Sequence, residues 1–201
     1  MSKVWGPMGW ITLHSIAACY PDVPSSVDKI NMSTFLDLFT DTITCRFCKD
    51  HFIRIRNTYR SKYPTYLNSK RDFFIFTLRA HNEVNQSLDK PVIPTVADTL
   101  VLLNNITKIT SAETYKNSYV SYLIRTWAHE MTGDALIYKG KAINMRDLLS
   151  RIDLTNGFNI NIEEDDITSF RSTHSSTGNS VIDFIRTNAK VGFSRGKLKL
   201  F

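Results

Sequence analysis

The chain has 201 residues, 42% hydrophobic and 22% charged, with a formal net charge of +6. This is an ordinary globular composition with room for one well-buried domain and an extension. No apolar run reaches membrane-spanning length, "TLVLLNNI" being short and interrupted by polar residues, and three cysteines are too few for a disulfide scaffold. The opening "MSKVWGPMGW" lacks a charged n-region, an apolar core and a small-residue cleavage site, so no secretion signal and a reducing compartment are expected.

In chain order, the first hundred residues read as successive helices. Pro7 is expected to open the first, which places Trp10, Leu13, His14, Ala17 and Ala18 on one face before Pro21 and Pro24 stop it. "VDKINMSTFLDLFTDTI" predicts a second helix. "TCRFCKDHFIRIRNTY" predicts a third, capped by Thr44 or Thr42. "SKRDFFIFTLRAHNEVNQSLDK" predicts a long fourth, ended by Pro91 and Pro94, and "TVADTLVLLNNI" a short fifth. Together they describe an all-α four-helix bundle with a short fifth helix, over residues 1–105. Residues 106–201 read as an extension of mixed character. "ETYKNSYVSYLIRTWAHEMTG" is an amphipathic helix, with Val120, Leu123, Ile124, Trp127 and Met131 apolar and Gly133 as its stop. "ALIYKGKAIN" predicts a β-hairpin at Lys139-Gly140, and "TNGFNINI" a turn at Asn156-Gly157. The acidic run Glu163–Asp166 and "STHSSTGNS" read as loop, and the last fifteen or so residues as a basic, loose tail.

Cys45 and Cys48 stand three apart; the other cysteine is Cys19. In the first turn of a helix, free backbone N–H groups and the helix dipole favour a thiolate, and Arg46, Lys49 and His51 add positive potential. A redox dithiol is one reading. A zinc site is another, with Cys45, Cys48 and His51 as ligands and Cys19, His14 or His81 as the fourth. Two core cysteines are the third. The fourth helix adds a second peculiarity: Phe73, Phe76, Ala80 and Val84 make an apolar stripe, and the adjacent face mixes Phe74, Leu78 and Leu88 with His81 and Asn85. With His14 beside Trp10, this favours a pocket for a flat heteroaromatic ligand, which would offer both stacking surface and hydrogen bonds.

"WGPMGWITLHSIAACYPD", "CRFC" followed by Phe52, and "HNEVNQSLDKP" together resemble the Erv/ALR family of FAD-linked sulfhydryl oxidases, most of all those encoded by large DNA viruses. The resemblance covers about residues 4–95 and implies the helical bundle, usually a homodimer, with FAD at its mouth. It implies that Cys45 exchanges with incoming thiols and that Cys48 faces the flavin. It places Trp10 and His14 along the flavin, with Gly6 near the loop before the first helix and Phe52 close to the isoalloxazine. His81, Asn82 and Asn85 would contact the cofactor, Val84 and Leu88 would wall it, and Lys90 would reach the phosphates. No metal is implied.

Family members carry a structural disulfide at the positions of Leu78 and Thr95, so packing must replace that staple here. No shuttle cysteine pair is present, and Cys19 reads as a small buried hydrophobe. The implied activity is oxidation of protein or small dithiols with O2 as acceptor and H2O2 as product, directly or through a thioredoxin-like carrier. It would serve virion proteins in the host cytoplasm or virion, with the extension touching capsid or virion proteins. The alternatives are a virion structural or adaptor protein on the oxidase scaffold, and a zinc-binding helical module.

Overall fold

The computed structural model describes residues 2–154 together with Phe158 and Ile160. Among the described residues there are seven α-helices and no strands: α1 (Ser2–Ala18), α2 (Ser26–Thr42), α3 (Arg46–Lys62), α4 (Lys70–Ser87), α5 (Val96–Ile109), α6 (Ala112–His129) and α7 (Ala135–Leu149). Four of them begin where a hydroxyl can take up a free backbone N–H. Ser25 forms a capping box with Asp28, and Ser69, Thr95 and Ser111 accept from the amides of Asp72, Asp98 and Thr114. Each such cap contributes about 1 kcal/mol. The two hydrogen bonds from Ser25 also hold the Asp28 carboxyl below the usual carboxylate range.

One hydrophobic cluster joins all seven helices. α4 is its central member: every residue from Phe73 to His81 is buried, so the two faces seen in its sequence are both interior. Leu13 and Ile16 of α1, Phe35 and Leu36 of α2, and Ile55 and Tyr59 of α3 close around it. α6 packs along α1, and α7 packs along both α6 and α2. The α1–α6 approach is close at Gly9, where a Cβ would lie 3.2 Å from the Tyr119 ring. Lys116, 3% exposed, ties α6 to the end of α7. Its ammonium donates to the Leu149 and Ile152 carbonyls at 3.0 and 3.3 Å and pairs with Glu113 at 2.8 Å. The negative end of the α7 dipole favours a cation there.

Several expectations are corrected. α1 starts at Ser2 and carries Pro7 inside it, so Gly6 is helical rather than in a preceding loop. The stretch around Lys139-Gly140 is helix, not hairpin. Ala135, Ala142, Met145 and Leu149 recur at helical spacing and are all buried, and that burial overrides the local turn signal. α6 ends at His129, so Met131 is fully exposed and Gly133 is not its stop. The turn expected at Asn156-Gly157, the acidic run and the basic tail lie outside the described residues.

At the two positions where the resemblance implies a disulfide in relatives, Leu78 is fully buried and Thr95 caps α5. Asn82 ties α4 to the segment before α5. Its amide donates to the Ile93 carbonyl at 2.8 Å and accepts from the Ile93 N–H at 2.9 Å.

Candidate active site

α2 ends at Thr42, and after two intervening residues the chain reaches Cys45. Cys45, not Thr44 or Thr42, is the N-cap of α3. Its backbone is extended, and its sulfur accepts the Cys48 N–H at 3.2 Å. The Thr42 hydroxyl is turned back into α2, donating to the Leu38 carbonyl at 2.7 Å. A disulfide joins Cys45 to Cys48, with Cα atoms 5.2 Å apart. Reduction would therefore release thiolates at the positive end of a helix, where one amide already points at sulfur. Arg46 and Phe47 between the cysteines are exposed, and both cysteines are half-buried against the core. Lys49 does not stand free as a positive charge: its ammonium donates to the Asp41 carbonyl at 3.0 Å and lies 3.7 Å from the Asp41 carboxylate.

One turn after Cys48, Phe52 meets a ring cluster gathered from three helices. The half-buried indole of Trp10 stacks on His81 at 4.2 Å, nearly parallel, and stands edge-on to Phe52 at 6.1 Å. His14 lies below, 5.9 Å from Trp10 and 5.8 Å from Phe74. Both imidazoles are buried, so each resists protonation. Burial lowers His14 to about 3. Burial first, then the neighbouring His14 and Lys90, holds His81 well below the ordinary histidine value.

Neutral rings have one proton each, and the hydrogen bonds decide where it sits. The Thr77 hydroxyl donates to the Phe74 carbonyl at 2.7 Å, so its oxygen accepts the Nδ1–H of His14 at 2.9 Å. His14 Nε2 then accepts the Nδ1–H of His81 at 3.0 Å. In that tautomer the proton of His81 is on Nδ1 and not on Nε2. Thr77, one helical turn before His81, thus sets the tautomer of the histidine that stacks on Trp10.

α4 closes just beyond. Asn85 is buried and Val84 half-buried, while Leu88 is 44% exposed and Lys90 is exposed. The Asn85 carbonyl accepts from the Leu88 and Lys90 amides at 3.1 and 2.8 Å, with Asp89 left-handed at φ 52°. Among the predicted residues, Trp10, His14, Phe52 and His81 form one cluster. Val84, Asn85, Leu88 and Lys90 share the end of α4, and Gly6 lies one turn before Trp10. Asn82 is occupied by Ile93. Cys19 is half-buried and outside any disulfide, and burial raises its thiol.

These residues suit a flavin dinucleotide. The half-buried Trp10 ring, with buried Phe52 and His81 beside it, offers a stacking surface, and an exposed lysine close enough to influence His81 offers a cation for phosphate. Among the described residues, no group of three or more His, Cys, Asp or Glu is gathered for a metal ion. Sequence reasoning missed Thr77, whose only signal is its place four residues before His81. It also missed that Trp127, read as an ordinary apolar-face residue, donates its Nε1–H to the Thr42 carbonyl at 3.0 Å.

The Erv1 / Alr family matches residues 7–101. The chain is 34% identical, over 89 residues, to an FAD-linked sulfhydryl oxidase of African swine fever virus (isolate Tick/Malawi/Lil 20-1/1983), covering 44% of this chain and 71% of that protein. It is 30% identical over 122 residues to the protein of the same name from isolate Pig/Kenya/KEN-50/1950, covering 61% of this chain and 85% of the relative. A third relative, FAD-linked sulfhydryl oxidase ERV1 of Arabidopsis thaliana, is 35% identical over 89 residues, covering 44% of each chain.

Proposed function

The chain belongs to the Erv1/Alr family of FAD-linked sulfhydryl oxidases, and from that premise we propose that Cys45 receives electrons from substrate thiols and Cys48 passes them inward. The observation that carries this assignment is the order along α3. Cys45 caps the helix, Cys48 lies in its first turn, and Phe52, one turn further, meets Trp10. Electrons thus enter on the loop side and leave on the ring side.

A substrate thiolate attacks Cys45 Sγ, forming a mixed disulfide and releasing Cys48 as a thiolate. The helix N-terminus stabilises that leaving group. The second substrate thiol then attacks the substrate sulfur of the mixed disulfide, freeing Cys45. One substrate disulfide is formed, and two electrons and two protons are handed over. FAD, when bound, would supply the two-electron acceptor that side chains lack and the route from the Cys45–Cys48 dithiol to O2, with H2O2 as product. Trp10 and Phe52 would offer a face and an edge to hold the flavin plane. His81 would hold the Trp10 indole from its other side, Lys90 would balance phosphate charge, and Val84 and Leu88 would wall the site. Both histidines stay neutral through the physiological range, so they orient rather than donate charge.

The viral relatives support a further reading: a viral protein that makes disulfides in virion proteins within the host cell. No described helix is long and apolar enough to cross a membrane. The purified protein should be yellow, release flavin on denaturation and consume oxygen with dithiothreitol. Cys48→Ser should retain the flavin and lose at least about 99% of turnover, since the thiol that relays electrons is gone. A colourless protein, or unchanged oxygen uptake in that variant, would overturn the assignment.

A further inference from the structure

The contacts that hold the approach to the disulfide come from outside residues 7–101. Asp41 and Thr42 are the last residues of α2, and Ile43 and Thr44 carry the chain to Cys45. Trp127 of α6 donates to the Thr42 carbonyl at 3.0 Å, and Lys141 of α7 pairs with the Asp41 carboxylate. Lys49, the residue after Cys48, bonds the Asp41 carbonyl and stands 4.4 Å from the centre of the Tyr138 ring. That ring lies 4.6 Å from Trp127. The polar and aromatic groups of α6 and α7 therefore grip the chain both immediately before and immediately after the Cys45–Cys48 pair.

Two consequences follow from the charges and the geometry. Asp41 sits at the negative end of α2, where its carboxylate is disfavoured, and Lys49 and Lys141 together offset it and leave one net positive charge beside the cysteines. A nearby positive charge favours the reduced, thiolate-bearing state over the disulfide. The buried Thr42 carbonyl, held by the indole, also keeps the turn that lets Cys45 cap α3 and brings the two sulfurs together.

We propose that Trp127, Tyr138 and Lys141 are positioning residues for the Cys45–Cys48 disulfide. Acting through Thr42, Asp41 and Lys49, they set how readily that disulfide accepts electrons. This rests on the reading of Cys45 and Cys48 as the redox pair, and it assigns a role in that chemistry to helices beyond the matched residues.

The test is the equilibrium of the full-length protein with glutathione under anaerobic conditions: protein disulfide plus two glutathione thiols against protein dithiol plus glutathione disulfide. The fraction of Cys45 and Cys48 open to alkylation reads the constant. Lys141→Met removes a positive charge and should lower the constant for reduction by about threefold to tenfold, tenfold being about 30 mV. Lys141→Arg should stay within about twofold of the parent, because the charge is kept. Trp127→Phe keeps the ring against Tyr138 and loses only the N–H. It should loosen the turn, lower the effective concentration of one thiol at the other, and raise the constant by about threefold.

A purely structural role predicts lower melting temperatures with the constant within about twofold of the parent in Lys141→Met and Trp127→Phe, and that result overturns the proposal. So does Lys141→Arg shifting as far as Lys141→Met. If Trp127→Phe does not fold, the two Lys141 variants decide alone, since that side chain is 35% exposed and its loss leaves no cavity. The readout is the disulfide and not turnover. A protein without flavin or oxygen uptake would defeat the oxidase reading while leaving this result to stand or fall by itself.

Discussion

Within α1–α5 the imidazoles and hydroxyl at the ring cluster are buried and uncharged, and a single directed chain of donated hydrogen bonds runs from His81 through His14 to Thr77. From α6 and α7, by contrast, come one lysine, a half-buried tyrosine and an indole N–H, all aimed at the segment before the disulfide and at Lys49. The two regions meet the same redox helix by different physics. Neutral, desolvated imidazoles suit a site that must stack and orient a flat ligand without repelling cations. Partly solvated charges suit a site where anionic sulfur appears and disappears. The two regions also share one hydrophobic core, through Tyr119, Val120 and Leu123 against α1 and Phe39. The helices on the two sides of residue 105 therefore pack as one unit.

The sharpest way to break that comparison is to empty one core position in each region. Leu13 of α1 and Leu123 of α6 are both fully buried. Leu13→Ala and Leu123→Ala should each lower global stability by about 3 kcal/mol in one cooperative urea transition. A second, earlier transition confined to Leu123→Ala, with flavin absorbance unchanged, would show the two regions to be independent.

Acid separates them next. The folded-state pKa values of His14 and His81 lie below the ordinary value near 6.5, so the native state refuses protons that the unfolded chain accepts. Their stabilisation is fully present above that pH and is lost as pH falls towards the folded values. For His14 the window runs from 6.5 to about 3, with a slope of about 1.4 kcal/mol per pH unit for each histidine that stays neutral. Urea midpoints between pH 7 and 4.5 measure this. His14→Gln should remove about one proton from the slope, whereas Lys141→Met should leave it unchanged; equal slopes in the parent and His14→Gln would refute the assignment.

The smallest contrast uses one substitution twice. At Gly9 a Cβ would press on the Tyr119 ring at 3.2 Å, and at Gly140 it would meet nothing within 4 Å. Both glycines are helical. Gly140→Ala should therefore stabilise by about 0.5–1 kcal/mol through helix propensity. Gly9→Ala should destabilise by about 1 kcal/mol, because overpacking between α1 and α6 outweighs the same gain. Thermal melts of the pair read the sign, and a stabilised Gly9→Ala would mean that the α1–α6 contact yields freely.

Legibility followed the range of the signal. The prolines after α1 and α4 mark helix ends to their own neighbours, whereas the cap expected at Thr44 or Thr42 falls instead on Cys45. The pairing of His14 with His81 was foreshadowed by two histidines beside aromatics on helical faces, although the hydrogen bond between them was not. The Lys139-Gly140 hairpin failed because a turn dipeptide is a local preference of about 1 kcal/mol. Burial of Ala142, Met145 and Leu149 outweighed it.

The CxxC pair at a helix start, the three ordered motifs that carry the family, and the helical character of the first hundred residues are all written in spacings of a few residues. That Cys45 caps its own helix, that Asn82 serves Ile93, and that Trp127 and Lys141 reach back 85 and 100 residues to Thr42 and Asp41 came with the packing of the helices. Such contacts depend on how whole helices lie against one another. No local spacing encodes that, because the partners become neighbours only after the core between them has formed.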